Sequence, residues 1–175
     1  MVAAVVLAAG ASTRFGSPKQ RLLLGPVLER VRASRVDGVV VVSGAHELET
    51  DAQKVFCPEW ERGPGASLRC GLAALPSQTE AAVVVLSDGP DLAPDAVNRV
   101  VDVWRRGLGE VIAASYGGER GHPVLLARSA WSDIPDEGAR ALHAVLVPCD
   151  DLGAPGDVDF ANDLPSRLSP DAAES

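Results

Sequence analysis

Arg14 and Lys19 lie in the segment LAAGASTRFGSPKQ, residues 7–20, which directly follows an apolar run. A turn built of small residues lets backbone N–H groups approach phosphate oxygens, because no large side chain intervenes. Arg14 offers forked donors and Lys19 a point charge, so together they can neutralise several phosphates. The spacing excludes the two commonest phosphate loops. Lys19 lies beyond Gly16 without a GxxxxGK[ST] pattern, and the third glycine of GxGxxG is missing. Asp88 closes a second apolar run, AAVVVLSD. A carboxylate there is costly unless paired or solvated. It suits Mg²⁺, which takes one or two carboxylates plus substrate phosphates, and this reading is favoured over a turn aspartate within SDGPD. Gly65 and Ser67, ahead of a helical stretch, can close over a base or ribose, or cap the helix. His122 precedes a proline, which extends its backbone and lets its ring face a crevice. Trp60 is read as packing, and His46 and His143 as incidental.

These groups need a scaffold, and the hydrophobic pattern supplies one. Residues 2–8 and 37–43 are apolar without alternation, as is 81–87, which marks strands covered on both faces. Helices are expected over 26–35, opening at Pro26, near 45–53, over 66–75, over 94–106 and near 137–144. Shorter strands are expected near 54–57, 110–114, 123–127 and 145–148, the middle two flanking a glycine-rich turn. Strands alternating with helices imply a mainly parallel sheet with helices on both faces. Ligands of such sheets bind beyond the carboxyl ends of the strands, so the opening loop and Asp88 should face one crevice. Residues 150–160 read as loop and 166–175 as a frayed tail.

The chain has 175 residues, 46% of them hydrophobic, which is enough for one domain with a substantial core. The net charge of −8 argues against a general nucleic-acid partner. Its distribution is uneven: residues 1–35 hold six Lys or Arg and one acid, as a local anion site would. Arg30, Arg32 and Arg35 read as a solvated helix face. No apolar stretch approaches the roughly 20 residues of a membrane span, and no signal peptide is evident. Cys57, Cys70 and Cys149 form no CxxC pair, and their odd number speaks against a disulfide framework and against zinc. The expectation is a cytoplasmic protein.

LAAGASTRFGSPK resembles the LAAGxSxRxGxxK signature of the MobA-like nucleotidyltransferases, and further segments match in order. CPEWERGPGASLRCGL (57–72) resembles NPxWxxGxxxSLxxGL, LSDGPDL (86–92) resembles LxDxP, and RGHPVLL (120–126) resembles the GHPVL strand. DEGAR (136–140) resembles GDxGAR, and DVDFANDL (157–164) resembles DIDTPEDL. The likeness covers residues 2–165, and within the family it points to the molybdenum cofactor cytidylyltransferase, or MocA-like, subgroup. Cys57, Gly89, Phe160 and Ala161 depart from the pattern.

The resemblance implies a single-domain α/β, Rossmann-like fold of GT-A type, a three-layer sandwich over residues 1–165. It implies transfer of a nucleotidyl group, CMP from CTP, to a phosphate-bearing acceptor such as molybdopterin, with release of pyrophosphate. A phosphate nucleophile is already anionic near neutrality and needs no general base. Cations and Mg²⁺ should therefore dominate the site. Arg14 and Lys19 would be catalytic. Leu7, Ala8, Ala9, Gly10, Ser12, Arg14, Lys19, Gly65 and Ser67 would bind the nucleotide, with the Ala9 methyl narrowing the pocket against a purine. His122 and Arg140 would meet the acceptor. Asp88 and Asp159 would hold Mg²⁺, with Asp157 a rival for the second place. A recipient molybdoenzyme would be a partner. Another acceptor or guanylyl transfer on the same fold stays open, as does a non-catalytic accessory protein that binds nucleotide or molybdopterin.

Overall fold

The computed structural model describes residues 1–11 and 19–168. Seven strands form one sheet: β1 (Val2–Ala8), β2 (Gly38–Ser43), β3 (Gln53–Phe56), β4 (Ala81–Leu86), β5 (Val111–Tyr116), β6 (Glu119–Ala127) and β7 (Val145–Pro148). Their order is β3-β2-β1-β4-β6-β5-β7. Every pairing is parallel except those of β6, which runs against both β4 and β5. The reversal follows from a tight turn at Gly117 and Gly118, whose φ of 60° and 81° suits a two-residue hairpin. Because β6 is reversed, its first residues lie at the carboxyl end of β4, where Asp88 stands.

Among the described residues, three α-helices complete the layers: α1 (Gln20–Arg32), α2 (Pro64–Ala73) and α3 (Pro94–Arg105). The alternation of β1 divides the core. Val2, Ala4, Val6 and Ala8 pack with Leu24, Val27 and Leu28 of α1 and Val97, Val100 and Val101 of α3. Ala3 and Val5 face the other way, toward Leu68 and Leu72 of α2. The result is the expected three-layer sandwich. Gly71 lets α2 press on the sheet, since a Cβ there would stand 2.5 Å from Val5 Cγ1 and 2.7 Å from Val42 Cγ2.

Four local expectations are corrected. The first helix begins at Gln20, not Pro26, and carries the proline inside. Gly25 lacks the Cβ that would crowd the proline ring in helical backbone, and the carbonyl deprived of its partner belongs to Leu22, which is 41% exposed and can be solvated. Residues 44–52 are irregular rather than helical. They connect parallel neighbours β2 and β3, and a helical crossover needs a longer link. Residues 137–144 hold only one 3₁₀ turn, Ala139–Ala141. There the Arg120 guanidinium donates to the carbonyls of Ala139 and Leu142, and the extended backbone at Leu142 ends the turn. Finally, Cys57 and Cys70 form a disulfide with a Cα–Cα distance of 5.8 Å. The 3₁₀ turn Trp60–Arg62 folds the chain after β3 back onto α2, a proximity that counting cysteines cannot reveal. Cys149 is free and buried.

Ser166–Leu168 form a 3₁₀ turn, and Leu168 packs with Leu164 against Leu23 and Val158. The remainder of the expected frayed tail, from residue 169, lies outside the described residues. Among the described residues, no helix is long and apolar enough to cross a membrane.

Candidate active site

Lys19 is the residue immediately before α1, and its carbonyl accepts from the N–H groups of Leu22 and Leu23 at 3.0 Å. Its backbone is thereby fixed beside the opening loop. The side chain crosses to the far wall of the crevice, where Nζ donates to Val158 O at 2.6 Å and Asp88 Oδ2 at 3.1 Å. It also lies 3.5 Å from Asp159 Oδ1. Residues 69 and 140 positions away along the chain thus meet one ammonium. The strands explain the convergence. Asp88 follows the end of β4, and the segment after β7 returns so that Val158 N donates to Asp88 O at 3.0 Å. Gly89 permits this return, because a Cβ there would stand 2.9 Å from Pro155 Cβ.

Two cavities open on either side of Asp88. One, of about 350 Å³, is lined by Leu7, Ala9 and Gly10 from the opening turn, by Trp60, Glu61, Gly63, Pro64 and Ser67 before and within α2, and by Leu86 and Asp88. The other, of about 380 Å³, shares Leu86 and Asp88 and is lined by Tyr116, Arg120 and His122 and by residues 154–157. Asp88 therefore stands at their junction, where a group could pass from a ligand on one side to a ligand on the other.

The other sequence-selected residues take varied places. Ala8 turns its methyl into the core beneath α1 and α3, so only its backbone can reach a ligand. Gly10 O accepts from Gln20 Nε2 at 2.8 Å, which ties the turn to α1. Gly65 does not line the first cavity. Its N–H donates to Asp136 O at 2.9 Å, and its missing side chain makes room for Pro135. Arg140 is exposed and lines neither cavity. Ser12 and Arg14 lie outside the described residues. Arg120 and Tyr116 line the second cavity and were not singled out beforehand. The RGHPV string that drew attention to His122 also carries Arg120. The Val158 carbonyl, being backbone, leaves no trace in residue types.

The electrostatics of the second cavity set His122 apart. Burial pushes its imidazole down to about 4, with nearby Asp88 acting in the opposite direction and Arg120 in the same one. It is a neutral ring at pH 7, able to donate from one nitrogen and accept at the other. Burial also raises the Tyr116 phenol to about 12, and its hydroxyl donates to His122 O at 2.9 Å. Asp157 is held above the usual carboxylate range by burial first, then by the charges of Asp88 and Asp159.

A consequence for stability follows from His122. Its folded value lies below the unfolded 6.5, so the unfolded chain binds the extra proton between these limits. Its contribution is intact above pH 6.5 and is lost as pH falls toward 4. Chemical denaturation should show the wild type losing stability relative to His122→Asn across that window. A ring titration midpoint near 6.5 in an NMR experiment would overturn the assignment.

Among the described residues, no three His, Cys, Asp or Glu side chains converge on one point. The oxygens around Lys19 Nζ are two carboxylates and a backbone carbonyl, hard donors of the kind Mg²⁺ and Mn²⁺ accept alongside phosphate and water.

The fold is shared with solved proteins. The homolog of Mycobacterium tuberculosis Rv0371c from Mycobacterium sp. strain JC1 has a TM-score of 0.76 at 26% identity, covering 93% of this chain and 92% of that one. Rv0371c from M. tuberculosis H37Rv has a TM-score of 0.73 at 28% identity, covering 93% and 94%. Its complex with manganese has a TM-score of 0.66 at 25% identity, covering 93% and 95%. Among curated proteins, the bifunctional protein GlmU of Cutibacterium acnes is 31% identical over 144 residues, 72% of this chain and 34% of GlmU. The chain thus spans about a third of the length of that relative. The MobA-like NTP transferase domain matches residues 4–149, and the chain belongs to that nucleotidyltransferase family.

Proposed function

We propose that the protein transfers CMP from CTP to a phosphate-bearing acceptor of the molybdopterin type, with Mg²⁺ and release of pyrophosphate. The observation that carries this reading is the meeting of Lys19 with Asp159 and with Asp88, the carboxylate that lines both cavities. The first cavity takes the nucleotide, with the base against Leu7, Ala9 and the start of α2. The second takes the acceptor, beside neutral His122. Lys19 would neutralise charge on the triphosphate and on the leaving pyrophosphate. Asp88 and Asp159 would hold the divalent cation, and the manganese complex of Rv0371c supports a divalent metal in this family. When bound, that ion neutralises phosphate charge and polarises the α-phosphate. The acceptor phosphate needs no base, so the chain's task is alignment: the walls around Asp88 hold the two substrates in line.

Ala9 is the clue to the base, since its buried methyl narrows the wall that a purine would need. A thermal-shift series with CTP, GTP and ATP, each with and without Mg²⁺, tests the assignment. CTP with Mg²⁺ should raise the melting temperature most, because ligand that binds only the folded state stabilises it. A larger shift with GTP would overturn the base choice. Pyrophosphate release with a molybdopterin acceptor then tests catalysis, and nucleotide binding without turnover would favour an accessory protein.

A further inference from the structure

We propose that the Lys19 ammonium is a tethered competitor for the divalent-cation position, occupying its oxygens until a triphosphate draws the side chain away. The inference rests on the metal-dependent reading above. Among the described residues, three oxygens surround Nζ: Val158 O at 2.6 Å, Asp88 Oδ2 at 3.1 Å and Asp159 Oδ1 at 3.5 Å. The Lys19 side chain is only 11% exposed, against 25% for Asp88 and 33% for Asp159. The Lys19 side chain is therefore the most enclosed of the three, and both carboxylates keep more exposure than it does.

A divalent ion that used the same carboxylates would lie within a few ångströms of a like charge. Repulsion at that range, in a partly dehydrated site, disfavours joint occupancy. The Lys19 backbone is fixed by its hydrogen bonds to Leu22 and Leu23, but its four-carbon stem can rotate. A triphosphate supplies oxygens that replace those the ammonium gives up. Metal alone must then displace Lys19 without compensation, whereas metal with nucleotide does not. Binding of the two becomes mutually favourable, and coupling of this kind is reciprocal. The arrangement discourages the protein from taking up a metal ion before its nucleotide arrives.

The test measures Mn²⁺ binding to the full chain by loss of the free-ion EPR signal, without nucleotide. Lys19→Met, neutral and of similar length, should bind Mn²⁺ at least tenfold tighter than the wild type, and Lys19→Arg should not. Adding CTP should tighten Mn²⁺ binding to the wild type by a larger factor than to Lys19→Met. Equal or weaker Mn²⁺ binding by Lys19→Met, with the wild type still binding the ion, would overturn the competition and leave the metal reading standing. No Mn²⁺ binding to either protein, even with CTP, would overturn the metal reading and the competition with it. A second measurement needs no variant. Lys19 and Lys54 are the two lysines of the chain, so acetylation by a lysine-reactive ester can be counted at each by mass spectrometry. Lys54, paired with Glu47 at the surface, is the internal reference. Saturating Mg²⁺ without nucleotide should raise acetylation of Lys19 severalfold relative to Lys54. Unchanged labelling at a Mg²⁺ concentration that occupies the site would overturn the proposal.

Discussion

Asp88→Ala is expected to lower pyrophosphate release by on the order of 10³-fold while the protein stays folded, as circular dichroism and an unchanged cooperative melt would show. The magnitude is what loss of one preorganised charge at a phosphoryl centre costs. Asp88 lines both cavities, so its carboxylate is the group that can act at the boundary between the proposed nucleotide and acceptor sites. The fold survives because the structural work at this position belongs to the main chain: Asp88 O accepts from Val158 N, and alanine preserves that bond. Lys19 keeps Val158 O as its shortest partner and stays near Asp159. Removing one of three neighbouring acids also lets the Asp157 carboxyl move back toward its ordinary range, since the Asp88 charge is, after burial, one of the causes that raise it. Asp88→Asn sharpens the test, since its amide oxygen can still accept from Lys19 but carries no charge. Activity close to wild type in either variant would remove Asp88 from the reaction.

How much of this was readable beforehand depended on whether the cause was local. β1, β2 and β4 stood out because strands buried on both faces need apolar residues at every position. Lys19 and Asp88 stood out because their charges sat where the chain was otherwise small or apolar. The start of α1 was misplaced because a proline at a helix start and a proline tolerated inside one look alike. What decides between them is the burial of Leu23 and Leu24, which is tertiary. The segment 44–52 has helical composition, yet the short link between parallel neighbours overrides it. The Cys57–Cys70 bond and the Arg120 grip on Ala139 and Leu142 were illegible for the same reason: each depends on where a turn delivers a partner. The residue types that meet at the candidate site were therefore visible in the sequence, whereas their geometry, above all the Val158 carbonyl, was not.

Gly65→Ala is expected to be the most damaging glycine-to-alanine change among the described residues. A Cβ at this position would stand 1.7 Å from Pro135 O and 2.9 Å from Asp136 Cα, both backbone atoms, so no side-chain rotation relieves the clash. Either α2 or the segment around Pro135 must move. Movement stretches the Gly65 N to Asp136 O bond of 2.9 Å and the Arg69 contacts with Asp136 and Ile134 O that fasten the same segment. Forced overpacking of this kind costs about 3 kcal/mol, which for a domain of this size lowers the melting temperature by roughly 6–12 °C. The damage should reach both substrates. The start of α2 walls the first cavity, and the displaced segment continues to Ala139, whose carbonyl is held by Arg120 beside the second. Weaker CTP binding should therefore accompany the lost stability, read by calorimetry below the new melting point. Gly118→Ala provides the contrast: its added methyl meets nothing within 4 Å, and its cost is confined to the positive φ of an exposed hairpin. Gly118→Ala should lose stability without losing CTP affinity. A Gly65→Ala protein that melted like the wild type and bound CTP normally would show that α2 and the Pro135 segment do not act as one wall.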